Sequence, residues 1–261
     1  MRRRMGVALV AQAADGAFEV AERVARDASD RGVPLRLLGG QAVRLLCPSF
    51  PARARQGQDM DFASVSSAKG AVMEFLAGHG FLGDRRFNTI HGDRQMYFTT
   101  PDGQTSVDVI MDRLRMCHVL EFRARIDRMP YTLDVTDLLL TKLQVVEQNE
   151  KDVQDIVYLL AAFEVREGDV PGTIGLGRIG DVVGSDWGWW RTVTRNLDRV
   201  IELARGDLRR LVPGESPHDP VEQARRLREH ADATPKTLKW KIRAKVGEHA
   251  QWYELPEETG H

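Results

Sequence analysis

The chain has 261 residues, 42 % of them hydrophobic and 29 % charged, which suffices for one large domain or two ordinary ones, each with its own core. With 37 Lys and Arg against 38 Asp and Glu the formal net charge is −1, so the total charge does not signal an extended polyanion as partner. Cys47 and Cys117 stand far apart and without neighbours at metal-ligand spacing, which excludes a disulfide framework and a zinc site and points to a reducing compartment.

The start, Met1-Arg2-Arg3-Arg4 followed by an apolar run over 6–11, superficially resembles a secretory signal. The run is shorter than the ~7–15 residues such a region needs, and Gln12, Asp15 and Glu19 follow at once. No run of about 18 apolar residues occurs, so no membrane span and no membrane partner are expected, and the expected location is cytoplasmic.

Over 7–28 the apolar Val10, Ala14, Phe18, Ala21 and Val24 recur at helical spacing, and the pattern stops at Asp30 to Pro34. A short strand is predicted over 35–38, a turn at Gly39-Gly40 and a helix from 41 to 46. A Pro- and Arg-rich loop over 47–58 leads into a strand over 59–63, and a helix over 68–78 ends in Gly78 and Gly80. Two more strands, 95–99 and 105–111, flank Pro101-Asp102-Gly103, which is turn chemistry for an antiparallel hairpin. Helical spacing over 136–163 predicts two helices broken near Asn149; 168–184 reads as a linker or irregular crossing, and the rest, with all five tryptophans, as helices. The expected fold is α/β: a small mixed β-sheet core with helices over 1–165, followed by a helical C-terminal region over 166–261.

Asp59 and Asp61, at i and i+2 of a strand, project from one face of the sheet, while Met60 and Phe62 face the buried side. Like charges held this close repel unless a cation lies between them, and hard oxygen ligands suit magnesium. Asp108 is a single charge in Ser106-Val107-Asp108-Val109-Ile110. If its strand neighbours that of Asp59 and Asp61, the three carboxylates converge to within about 4–6 Å, the arrangement of metal-assisted phosphoryl chemistry. The competing reading is a solvated strand end with an edge charge. Upstream, Leu38-Gly39-Gly40-Gln41 sets two glycines at a helix N-terminus, where free N–H groups favour phosphate; a tight turn without ligand has the same sequence.

A hydrophobic-Gly-Gly turn opening a helix, then Asp-x-Asp, then hydrophobic-Asp-hydrophobic after a hairpin resembles the nucleotidyltransferase (polymerase β-like) superfamily. Leu140-Thr141-Lys142-Leu143, followed by Glu150-Lys151-Asp152-Val153-Gln154-Asp155, is similar to the Lys and basic-Asp-x-x-Asp helices of AbiEii-type nucleotidyltransferases, some of them toxins of toxin–antitoxin pairs. The resemblance spans residues 35–163. It implies Gly39, Gly40 and Gln41 on a nucleoside triphosphate, Asp59 and Asp61 on magnesium (or manganese), and Asp108 as the third acid and metal ligand. It also implies Lys142 on phosphate or acceptor in the same cleft as the acids, and Lys151, Asp152 and Asp155 in the last nucleotide-binding motif. Lys151 departs from the commoner Arg, and Gln41 from the commoner Ser or Thr.

Independently of family, Lys151 and Asp155 sit at i and i+4 and form a plausible surface pair. Arg44, Arg53 and Arg55 lie between the glycines and the acids, so one of them is placed to reach nucleotide. His79, His91 and His118 read as structural or surface residues. The basic run Lys236, Lys239, Lys241, Arg243 and Lys245 around Trp240 reads as a solvated face or a contact for nucleic-acid phosphates. The function expected is metal-dependent transfer of a nucleoside monophosphate from a triphosphate to an acceptor, with release of pyrophosphate. An RNA 3′ end or tRNA as acceptor and an antitoxin protein are the partners the resemblance implies; a protein side chain or a small molecule is the alternative acceptor. A catalytically silent nucleotide-binding or toxin–antitoxin interaction module, and a phosphohydrolase using the same acids, are the rival readings.

Overall fold

The structure, a computed structural model, describes residues 2–50, 59–204, 212 and 216–255, with side chains from residue 16 onward. The chain forms two compact units: residues 1–46, 52–113 and 121–133 make the first, and 47–51, 114–120 and 134–261 the second.

In the first unit the opening helix α1 (Arg2–Asp30) runs through the arginine-led segment and buries Ala21, Val24, Ala25 and Ala28, one face at helical period. Next come β1 (Arg36–Leu37), α2 (Gly39–Leu46), β2 (Met60–Ser64) and α3 (Lys69–Gly78). The unit continues with β3 (Leu82–Gly83), α4 (Arg85–His91), β4 (Gln95–Thr99) and β5 (Ser106–Met111). Five strands form one mixed sheet in the order β1-β2-β5-β4-β3; β2 and β5 are parallel and the other neighbours antiparallel. The expected hairpin between β4 and β5 is present: Thr100 and Asp102 share a side-chain hydrogen bond at 2.6 Å, and Gly103 takes φ +68°, where a side chain would be strained. Met60, Phe62, Met96, Val107 and Val109 have no exposure and Phe98 only 2 %, so one face of the sheet is core. Helix α4, missing from the sequence reading, is started by Asp84, whose carboxylate accepts from Phe87 N at 2.8 Å.

Two short strands, β6 (Arg113–Arg115) and β7 (Val119–Glu121), pair as a ribbon. The second unit holds α5 (Val135–Leu143), α6 (Glu150–Ala162), the paired β8 (Val165–Arg166) and β9 (Ile174–Gly175), and the helices α7 (Leu176–Ser185), α8 (Trp187–Ala204), α9 (Pro220–Ala233) and α10 (Leu238–Val246). The break between α5 and α6 falls where expected: Asn149 caps α6, and Asp152 answers on the Asn149 backbone N–H to complete a capping box. Helices α5 and α6, grouped with the sheet in the division at residue 165, pack with α8 and α9. The linker expected over 168–184 is instead a β8–β9 bridge followed by α7. Its glycines are packing positions: a Cβ on Gly180 would meet His230 Nε2 at 3.1 Å, and one on Gly184 would meet Pro235 O at 2.8 Å. No helix among the described residues is long and apolar enough to cross a membrane.

Candidate active site

The first unit gathers the expected acids through strand register. Asp61 on β2 pairs with Asp108 on β5, and neighbouring strands lie about 4.8 Å apart, so the two side chains stand side by side on the face opposite Met60, Phe62, Val107 and Val109. Asp59, exposed, lies one residue before β2 as this structure bounds it, and its carboxylate accepts a short hydrogen bond from the Ser106 hydroxyl. Asp108 Oδ1 accepts from Gln95 Nε2 at 2.5 Å, across the β4–β5 hairpin. Ser106 and Gln95 were not singled out by the sequence reading. The signal was available: Ser106 is two residues before Asp108 and shares its face, and Gln95 lies on the polar face of the strand the hairpin turns back.

The glycine turn belongs to the same site. Leu38 N donates to Asp61 O at 2.9 Å, which ties the turn to β2. Gly39 has φ +68°, and a Cβ there would lie 2.6 Å from Asp61 Oδ2, so the backbone comes against the carboxylate only because the residue is glycine. Gly39 and Gly40 form the first turn of α2, the helix expected to begin two residues later. Gln41 is 6 % exposed; its Nε2 donates to Asp59 O at 3.2 Å, while its Oε1 is buried with no hydrogen-bond partner. Arg44 lays its guanidinium 4.1 Å from the centre of the Phe18 ring, a cation–π contact. Arg53 and Arg55 lie outside the described residues.

By donor chemistry these residues suit magnesium or manganese: three carboxylates supply hard oxygens, and the orphaned Gln41 Oε1 is a further acceptor anchored beside Asp59. Among the described residues, no group of three or more His, Cys, Asp or Glu side chains is arranged to hold a metal ion as it stands. Neutral groups, Ser106 and Gln95, hold two of the three carboxylates.

Lys142, Lys151, Asp152 and Asp155 belong to the second unit. Lys142 Nζ lies 3.1 Å from Asp152 Oδ1 and 3.1 Å from Asp155 Oδ2; the Lys142 and Asp152 side chains are each 14 % exposed and that of Asp155 is fully buried. In this structure Lys142 meets the carboxylates of its own downstream Asp-x-x-Asp, within one helical hairpin. Lys151 is exposed on the first turn of α6. Cys47 packs against the same helix, its Sγ 3.8 Å from Tyr158 O, and burial, aided by the Asp155 charge, pushes its thiol up to about 12.

The histidines take structural places. His79 bridges Phe75 O and Asp27 Oδ2, each at 3.0 Å, and His91 lies against Phe87 with ring centres 4.8 Å apart. His118 is buried, with Nε2 2.8 Å from Thr192 Oγ1 and its ring 5.0 Å from that of Trp189; burial, opposed by Asp186, holds the imidazole down to about 4. Compared with known proteins, the chain matches no family model, no curated protein and no solved structure.

Proposed function

We propose that the polar face of the β2–β5 pair is a nucleotidyltransferase centre, which moves a nucleoside monophosphate from a triphosphate to a hydroxyl acceptor and releases pyrophosphate. One observation carries this reading: Asp61 stands in register beside Asp108 directly against a glycine turn whose backbone reaches Asp61 Oδ2 for want of a Cβ. Asp59, Asp61 and Asp108 would hold magnesium or manganese, which supplies charge neutralisation at the phosphates and polarises the group under attack. The backbone N–H groups of Gly39 and Gly40, at the positive end of α2, orient the triphosphate. Ser106 and Gln95 aim the carboxylates of Asp59 and Asp108 by hydrogen bonds from neutral donors. An RNA 3′ end, tRNA included, is the acceptor that the AbiEii-like resemblance favours, and an antitoxin protein is the regulatory partner it favours.

A second reading has its own observation. Asp59 and Asp108 are occupied by Ser106 and Gln95, which suits a silent nucleotide-binding or interaction module of the same fold. Incubation with magnesium, mixed nucleoside triphosphates and total RNA separates the readings. Transfer releases pyrophosphate and labels RNA, and Asp61→Asn abolishes both while hardly changing the melting temperature. A phosphohydrolase releases inorganic phosphate instead, and a silent module releases neither.

A further inference from the structure

Helix α10 is mounted on the second unit by one side only. Trp240 packs edge-on against Trp190, ring centres 5.3 Å apart, and Lys236 Nζ lies 5.5 Å from the Trp240 ring centre. Arg243 lies over the Trp187 ring at 4.8 Å and donates to Gly247 O at 2.7 Å. At the helix start, Thr237 N donates to Gly184 O at 3.0 Å, and the Thr237 hydroxyl accepts from Trp240 N at 3.2 Å. A helix of nine residues is too short to persist alone, so these contacts hold it in one orientation.

Among the described residues, the other side is aliphatic and exposed. Leu238, Ile242 and Val246, at i, i+4 and i+8, are 74 %, 58 % and 44 % exposed and form one contiguous aliphatic stripe. Lys241 and Lys245 border this stripe on one flank and Lys239 on the other, all exposed.

We propose that this face of α10 docks an amphipathic helix of a partner protein, with an aliphatic seam on Leu238, Ile242 and Val246 and acidic residues on both flanks, facing the lysines. A stripe of two turns, about 12 Å long, matches the i, i+3/i+4, i+7 anchors of a helix laid alongside. The lysine borders set the charge of the partner as e and g positions do in paired helices. RNA fits less well, because the one aromatic of the helix, Trp240, is turned inward and the middle of the exposed face has nothing to stack on or to meet phosphate. A membrane surface fits less well, because the exposed face carries no Trp or Tyr to anchor at headgroup level.

The test uses the full chain and a fluorescently labelled helical peptide of about three heptads, with Leu at the seam and Glu on both flanks. Controls are a scrambled peptide of the same composition, a Lys-flanked peptide, a labelled single-stranded RNA and phosphatidylglycerol vesicles. The acidic peptide should bind saturably and the scrambled one should not; Ile242→Asp should weaken binding by about tenfold or more without changing the melting temperature. Lys241→Glu with Lys245→Glu should move preference to the Lys-flanked peptide. The proposal is overturned if the acidic peptide fails to bind, if RNA or vesicles bind and Ile242→Asp leaves that binding intact, or if the scrambled peptide binds equally.

Discussion

Replacing Lys142 by methionine keeps most of its volume and removes only the ammonium, so it isolates what that charge does for the second unit. In the parent, Nζ lies 3.1 Å from an oxygen of each of Asp152 and Asp155. Asp152 keeps some exposure and is partly solvated when its partner goes. Asp155 has none, so the substitution takes a 3.1 Å ion-pair partner from a fully buried carboxylate. Removing one member of a buried pair typically costs about 3–5 kcal/mol, far above the ~1 kcal/mol of an exposed pair. At about 2–4 °C per kcal/mol for chains of this size, the melting temperature should fall by about 6–20 °C. Urea unfolding followed by far-ultraviolet circular dichroism at neutral pH measures the loss, and the slope should stay as in the parent. Asp155→Asn in the same chain should restore about half or more, because the buried charge that lost the Lys142 ammonium is gone. If Lys142→Met unfolds within about 1 kcal/mol of the parent, Asp155 is not a buried anion held by Lys142, and the argument fails.

Gly39→Ala should destabilise the first unit by about 1–2 kcal/mol, the penalty of a left-handed residue with a Cβ, and should weaken manganese binding, measured by electron paramagnetic resonance, because that Cβ would displace Asp61 Oδ2. An alanine variant as stable as the parent refutes the left-handed turn. Burial lowers the His118 imidazole from 6.5 to about 4, so proton uptake favours the unfolded chain. Its contribution is complete above pH 6.5 and is lost as pH falls from there through 4, up to about 3 kcal/mol. Over that window the melting temperature of His118→Gln should fall less steeply with acid than that of the parent, and parallel curves refute the assignment. With its thiol pushed up to about 12, Cys47 should not react with a disulfide reagent at pH 8 in native buffer, nor should buried Cys117; both should react after unfolding. Prompt labelling of either in the native protein contradicts that burial.

Most elements long enough to repeat their period were legible. The strands over 95–99 and 105–111 alternate apolar and polar residues, Asn149 announces a cap, and Pro101-Asp102-Gly103 announces a reversal; each appears where the pattern puts it. What was lost had no room for a period: β3, β6, β7, β8 and β9 are two or three residues long, and α4 is seven. Helix α7 was lost for a different reason. Gly177, Gly180 and Gly184 lower helix propensity and imitate a linker, yet they are there because backbone of 168, side chains of α9 and backbone of Pro235 come too close for a Cβ. Propensity saw the cost of those glycines and not the contact that outweighs it.

Asp108, a single charge in its strand, and Lys142, singled out by the resemblance, show two ways in which the neighbour of a charged residue is found. On a strand it is found through register: Asp108 meets Asp61, 47 positions earlier, because β2 and β5 are parallel neighbours, and no local pattern in either segment states that pairing. On a helix it is found nearby, because a capped break such as Asn149 folds the next helix back: Lys142 meets Asp152 and Asp155, ten and thirteen positions on. A strand carboxylate beside a like charge is raised in energy by its neighbour, and a cation or a hydrogen-bond donor lowers it. A helical lysine between two carboxylates is already satisfied. The first measurement of metal affinity therefore belongs on Asp59, Asp61 and Asp108, the residues of the proposed site, rather than on the Lys142 cluster.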